Sequence, residues 1–214
     1  MEVDLVQMVL AAGALGTAAF GIVDGLKGTP IGEAGFSTLS AMMGPLKTAL
    51  AKAYGNEFLS LLMAQYRDGR STGPLPRTLR QGARIGLTKD NAVEIAKFVG
   101  EGIVDTSKLV IIAEKIADGR KLEDSERGLL ARFELAVDTR IDAALALAEQ
   151  KYTLVTRWWA SGFAVALALI AAWVLNADLV KGLIVGVVAV PLAPIAKDVA
   201  SALQSATRAL KARK

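Results

Sequence analysis

The sequence contains no cysteine and no histidine. The first absence excludes disulfides, thiolate metal sites and cysteine nucleophiles. The second removes the commonest general base and the commonest side-chain metal ligand. Hydrolase, zinc and haem chemistries lose their usual residues at this step. Catalysis would have to run on carboxylates, Ser, Thr or Tyr, and these do not group into a site. The expectation is therefore no enzyme, no cofactor and no metal. Alternation with period two is also missing, so no strand is expected and the fold class is all-α.

Charge is unevenly missing. Charged residues make up 21% of the chain and hydrophobic residues 53%, but this average mixes two populations. Long runs towards both ends, 5–23, 158–175 and 182–196, carry no charge, whereas Lys27 to Arg157 holds most of the Lys, Arg, Asp and Glu. Such a split describes a membrane protein with an aqueous middle. The net charge of +4 and the pI of about 9.4 are mild for a nucleic-acid binder, and nucleic acid is not an expected partner. The short basic stretch followed by Thr88 to Phe98 faintly suggests a helix-turn-helix, but it lacks the surrounding charge.

What is present in quantity is long apolar sequence. The first run is LVQMVLAAGALGTAAFGIV, Leu5 to Val23, close to the ~20 residues needed to cross the hydrocarbon core. Its flank, Met1-Glu2-Val3-Asp4, is acidic where a signal peptide carries cations, which predicts an uncleaved anchor. The second run is WWASGFAVALALIAAWVL, Trp158 to Leu175, and the third is GLIVGVVAVPLAPIA, Gly182 to Ala196. Trp158, Trp159 and Trp173 read as interfacial belts, and Lys181 can snorkel outward. A short connection around Asn176-Ala177-Asp178 makes the last two runs a helical hairpin. The expected organisation is 1–26, an N-terminal transmembrane helix; 27–157, a cytoplasmic helical domain; 158–197, the transmembrane hairpin; and 198–214, a basic cytoplasmic tail.

Cations orient the spans. The middle carries 19 Lys and Arg, and Lys197, Arg208, Lys211, Arg213 and Lys214 follow the third run. Positive-inside then places the N-terminus outside, with the central domain and the C-terminus in the cytoplasm of a bacterial inner membrane. Small residues, including Gly13, Gly16 and Gly21 in the first span and Gly182 and Gly186 in the third, mark seams where membrane helices associate. Pro191 and Pro194 free carbonyls in the third span. This motivates an alternative reading as a transport or channel component. No acid, Arg or Lys lies deep in any span, so the usual marker of a charged path is missing.

Six helices are expected in the central domain. They are Phe36 to Tyr54 with a break at Gly44-Pro45, Asn56 to Arg67, a short basic helix through Arg77, Arg80 and Arg84, and Thr88 to Phe98 with Thr88 as cap. Then come Asp105 to Gly119, expected to be the central core helix, and a helix running from about Glu123 to Leu175. This last one, without proline and poor in glycine, would span roughly 75–80 Å at 1.5 Å per residue. It would couple the domain rigidly to the second span. Leu130, Phe133, Val137, Ile141, Ala144, Ala148, Tyr152 and Val155 form one stripe on it, a packing or oligomer surface.

Beside the stripe lie Glu134, Asp138, Asp142 and Glu149. Carboxylates spaced four apart repel one another by a few tenths of a kcal/mol, roughly, per pair. Three answers compete: the basic patch Arg67, Arg70, Arg77, Arg80, Arg84 and Lys89 of the same chain (or plain solvation), cations from a neighbouring copy, and a divalent cation, for which no Gly-rich loop speaks. The same basic patch could touch anionic lipid headgroups.

The run RFELAVDTRIDAALALAEQKYTLVTRWW with the LNAD turn, Arg132 to Asp178, resembles a group of uncharacterised bacterial inner-membrane proteins with a C-terminal transmembrane hairpin. The resemblance implies bacterial origin and a hairpin, and no activity. The expected function is a non-enzymatic membrane-anchored scaffold or assembly subunit, a homo-oligomer or part of a membrane complex, with the lipid bilayer as its first partner.

Overall fold

The missing two-residue alternation translates into helices alone: the computed structural model has nine helices and no strand among the described residues. Those residues are 5–26, 29–69, 73–100 and 102–191, with side chains described from Leu10 onward. The helices are α1 (Leu5–Gly25), α2 (Phe36–Met42), α3 (Leu46–Tyr54), α4 (Phe58–Gly69), α5 (Leu75–Ile85), α6 (Ala92–Val99), α7 (Thr106–Ala117), α8 (Asp124–Val174) and α9 (Leu179–Pro191). Arg70, Pro194 and the tail 198–214 lie outside the described residues.

Local chemistry explains most boundaries. Pro45, with φ of −66°, opens α3 and separates it from α2, since proline suits a first helical turn and no interior one. Pro74 does the same for α5. Asp105 caps α7, its carboxylate accepting from the Ser107 and Lys108 amides at 3.0 and 3.2 Å. At its other end Gly119 takes φ of 68°, and the Arg120 amide reaches back to the Lys115 carbonyl at 2.8 Å, a Schellman stop. The 51 residues of α8 then run without a break.

The start of α6 differs from expectation. Thr88 does not cap it; the helix begins at Ala92. Asn91 turns its side chain backwards instead, donating to the Gly86 carbonyl at 2.7 Å and accepting from the Thr88 amide at 2.8 Å. An amide that can serve a donor and an acceptor at once holds the turn better than a hydroxyl.

The chain divides into two compact units, Gly32–Tyr152 and Met1–Ile31 with Thr153–Lys214. In the first, α3 is the hub, packed on α4, α5 and α6. Leu39, Met43, Leu46, Leu50, Leu62, Tyr66, Leu75, Leu79, Ile95 and Leu109 are fully buried there with Phe133 and Ile141 of α8. The expectation that α7 is central is corrected. Its Leu109, Ile112 and Ala113 are buried, but Ile111 and Ile116 are about half exposed (48% and 47%), so it packs with one face only, chiefly on α6. Two glycines admit close approaches: a Cβ at Gly86 would run into the Ala49 carbonyl, and one at Gly35 (φ 94°) into Ala148 and the Tyr66 hydroxyl.

The second unit is built from α1, the later part of α8, and α9. Its core is Ala12, Ala19, Val23, Ala160, Ala164, Ala189 and Val190. On α8 the buried positions recur every four residues as Ala160, Ala164, Ala168 and Ala172, one face of a helix made of methyl groups.

Candidate functional site

Two arrangements stand out, one in each unit. In Gly32–Tyr152 the basic α5 lies along the acidic flank of α8. Leu75, Leu79, Gly82 and Ala83 turn into the core, which leaves Arg80 and Arg84 beside the carboxylates. Arg80 reaches Asp142 at 2.5 Å and Asp138 at 3.6 Å. Arg84 reaches Glu134 at 3.4 Å and Asp138 at 3.7 Å. Asp138 is thus shared by two guanidiniums in a four-contact ladder. Of the three answers to the row of carboxylates, the chain supplies its own cations for Glu134, Asp138 and Asp142. Glu149 also has an interaction of its own. Among the described residues no three acidic side chains converge as a metal site would require.

The basic patch does not act as one surface. Arg67 pairs with Glu33, ahead of α2, a partner with no signal in the sequence because it sits 34 positions away in a turn. Arg77 and Lys89 are exposed. Of the two roles expected for the stripe, packing or oligomer surface, the structure shows the packing one. Phe133, Val137, Ile141, Ala144 and Ala148 are at most 2% exposed inside the chain's own core, while Leu130, Tyr152 and Val155 are half-buried. The five buried residues are spent on intramolecular packing.

Sequence reading missed Tyr66. Its hydroxyl donates to the Ala34 carbonyl at 2.8 Å and lies 3.3 Å from that of Ala148, pinning the entry to α2 against α8. A buried phenol needs such an acceptor. Tyr54 behaves alike, donating to the Thr78 carbonyl at 2.9 Å, and burial raises its pKa.

In the other unit the helices sort their residues by size. Alanines face inward, while Ile170, Trp173, Leu179, Leu183, Ile184 and Val187 point out, each 45–75% exposed. The expected small-residue positions divide accordingly. A Cβ at Gly186 would sit 2.7 Å from the Val165 Cα, and one at Gly182 would sit 2.8 Å from the Ala172 Cβ. Both are true seams of the α8–α9 hairpin. Gly13 and Gly16 are buried, whereas Gly21 is exposed and has nothing within 4 Å.

The hairpin turn uses each residue of Asn176-Ala177-Asp178. Asn176 takes φ of 51°, and the Ala177 amide closes on the Ala172 carbonyl at 2.8 Å while that of Asn176 closes on Trp173 at 3.2 Å. This is the Schellman pattern with Asn in the left-handed position. Asp178 then caps α9, accepting from the Val180 amide at 2.8 Å. Of the described helices, α8 alone is long and apolar enough to cross a membrane; the apolar stretches Leu10–Gly25 and Leu179–Pro191 are shorter. No family model matches the chain, and no curated protein or solved structure is similar to it.

Proposed function

We propose that the chain is a non-enzymatic, membrane-anchored scaffold or assembly subunit. Three spans, α1, the end of α8 and α9, hold it in a bacterial inner membrane. The N-terminus and hairpin turn lie outside, and the helical unit presents itself to the cytoplasm. The observation that carries this reading is the size sorting in the three-helix unit. In water, large apolar residues gather inside because their burial is worth about 1.5–3 kcal/mol each. In lipid the surroundings are as apolar as Leu, so association rests on close backbone approach through small residues. Alanines within and Ile, Leu and Trp without is the second pattern. One helix carries the chain from the charged unit into the apolar one, which suits an anchor. The close packing at Ala19, Ala160, Ala164 and Ala189, all fully buried, favours anchoring over a transport path between the spans.

With the α8 stripe spent on the core, a partner would be met elsewhere. Among the large apolar side chains described in Gly32–Tyr152, Ile85 and Leu135, 70% and 68% exposed, are the most open to one. The absence of native cysteine makes the topology directly testable. The thiol introduced by Ala177→Cys should react with an impermeant maleimide in intact cells, and that introduced by Lys121→Cys only after permeabilisation. Equal labelling of both in intact cells, or release of the protein by alkaline washing, would overturn the arrangement.

A further inference from the structure

Two rows at a spacing of four run along α8, back to back. Glu134, Asp138 and Asp142 form the first, and the guanidiniums of α5 meet it. Two residues earlier come Arg132, Ala136 and Arg140, which the helix carries about 200° round to another side. Neither arginine has a carboxylate three or four positions before or after it on α8, and among the described residues neither forms an ion pair. Arg140 donates through Nε to the Val99 carbonyl at 3.2 Å, a neutral acceptor that leaves the charge unanswered. Both arginines line a groove of about 290 Å³ whose other walls are Val99 and Ile103, and Leu135, Ala136 and Thr139 of α8. A Cβ at Gly100 would lie 3.2 Å from Arg140 Nη2 and 3.3 Å from Ile103 Cδ1, so cation and apolar wall meet at this end. Among the described residues no carboxylate lines the groove.

We propose that this groove receives an acidic amphipathic helix of a partner protein, an apolar side chain entering between Ile103 and Leu135 and carboxylates meeting Arg132 and Arg140. The site rests on the scaffold reading above and names the chemistry of the partner held. Charge complementarity selects the occupant, since guanidiniums pair carboxylates bidentately and repel a cationic segment. The apolar lining between them calls for an apolar side chain. Eight residues separate Arg132 from Arg140, which sets them roughly 12 Å apart along α8, about two turns of a helix laid beside it. Two cations over an apolar floor are too few to hold a nucleic-acid backbone.

Three labelled peptides, each about five helical turns long, probe the full chain in neutral detergent by fluorescence anisotropy. One carries Leu on one face and Glu on the other, one has Lys in place of Glu, and one has Ser in place of Leu. The Leu/Glu peptide should bind about tenfold or more tighter than either of the others. Arg132→Gln and Arg140→Gln should each weaken it about two- to fivefold, and Leu135→Ser, at an exposed position, about tenfold. Arg132→Glu with Arg140→Glu should transfer the preference to the Lys peptide. Arg77→Gln with Lys89→Gln, which removes as much charge from exposed positions outside the groove, should change nothing. Equal losses from this pair and from Arg132→Gln with Arg140→Gln would mean attraction to overall positive charge and overturn the groove. So would acidic and basic peptides bound alike by wild type. Displacement of the peptide by phosphatidylglycerol but not by phosphatidylcholine would make the occupant a lipid and overturn the protein partner. Each of these failures leaves the anchoring standing, because maleimide accessibility, not peptide binding, reads it.

Discussion

The two units bury one face of each helix, and they do so with opposite residue sizes. Gly32–Tyr152 packs Leu, Ile, Phe and Tyr; the α1–α8–α9 unit packs Ala and Gly and leaves its large side chains outside. The contrast is sharpest within α8, one uninterrupted helix whose buried positions change from Phe133, Val137 and Ile141 to Ala160, Ala164, Ala168 and Ala172. Backbone and helix are the same on both sides of this change. On the membrane reading proposed above, what differs is the source of stability: transfer of large apolar surface out of water in one unit, close approach of backbones in the other.

The largest test of that comparison is Phe133→Ala. The ring is 1% exposed at the centre of the larger core, so truncation should cost about 3–5 kcal/mol, read as a fall in the denaturant concentration at which Gly32–Tyr152 becomes protease-sensitive. A loss under 1 kcal/mol would mean the stripe is not packed as described. In the other unit the damaging change is enlargement. Gly186→Val drives a branched side chain into the Val165 backbone, and about 1–3 kcal/mol should be lost from the hairpin, measured by thermal unfolding in detergent. Gly21→Leu, on an open face, should leave that midpoint within error. Equal effects at Gly21 and Gly186 would remove the distinction between seam and surface.

These residues also show how much could be read beforehand. The length of α8 was legible because nothing in it breaks a helix, and its buried stripe because apolar residues recur at helical spacing. The ladder was legible as a complementarity of charge, but the partners were not. Arg80 and Arg84 meet carboxylates because Leu75, Leu79 and Ala83 on the same helix are buried, and that follows from tertiary packing. Glu33 with Arg67, Tyr66 with Ala34 and the backward turn of Asn91 had no signal, since each joins a loop to a distant or reversed neighbour. The small glycines announced a seam without saying which of them lay in it; Gly21 and Gly186 look alike in sequence and differ only in what faces them.

Smaller effects are expected where an end or a surface, rather than a core, is changed. Asp178→Ala removes the cap of α9 and should cost about 1 kcal/mol. Asn176→Val, forced into the left-handed region, should cost about 1–2 kcal/mol, whereas Asn176→Gly should be tolerated. Thermal midpoints in detergent rank the three, and an unchanged midpoint for Asn176→Val would argue against the Schellman turn. Below these sits the α5–α8 ladder. Its guanidiniums and carboxylates are 28–59% exposed, so a double-mutant cycle between Arg84→Gln and Glu134→Gln should give only about 0.2–1 kcal/mol of coupling. That coupling should shrink as salt is raised. A larger, salt-insensitive coupling would mean the pair is shielded from water.

The two ends of α8 extend the comparison to pH. The last turn closes on Asn176, which carries no titratable group. The first turn closes on Glu126, whose carboxylate accepts from the Lys115 ammonium at 2.5 Å and from the Glu123 amide at 2.9 Å. The Lys115 contact first, and the amide second, hold its pKa below the ordinary carboxylate range. A carboxylate depressed in the folded state binds its proton more readily when unfolded. Its contribution is therefore complete above the ordinary Glu value of about 4.3 and is lost as pH falls through the lower folded value. Between pH 7 and 5 the difference in unfolding midpoint between wild type and Glu126→Gln should stay constant; below pH 4 it should narrow. Lys115→Met should reduce that narrowing without abolishing it, because the Glu123 amide still favours the charged form. A difference that widens in acid would mean the carboxylate is stabilised in its protonated form, and that α7 is not clasped to α8 by an ion pair.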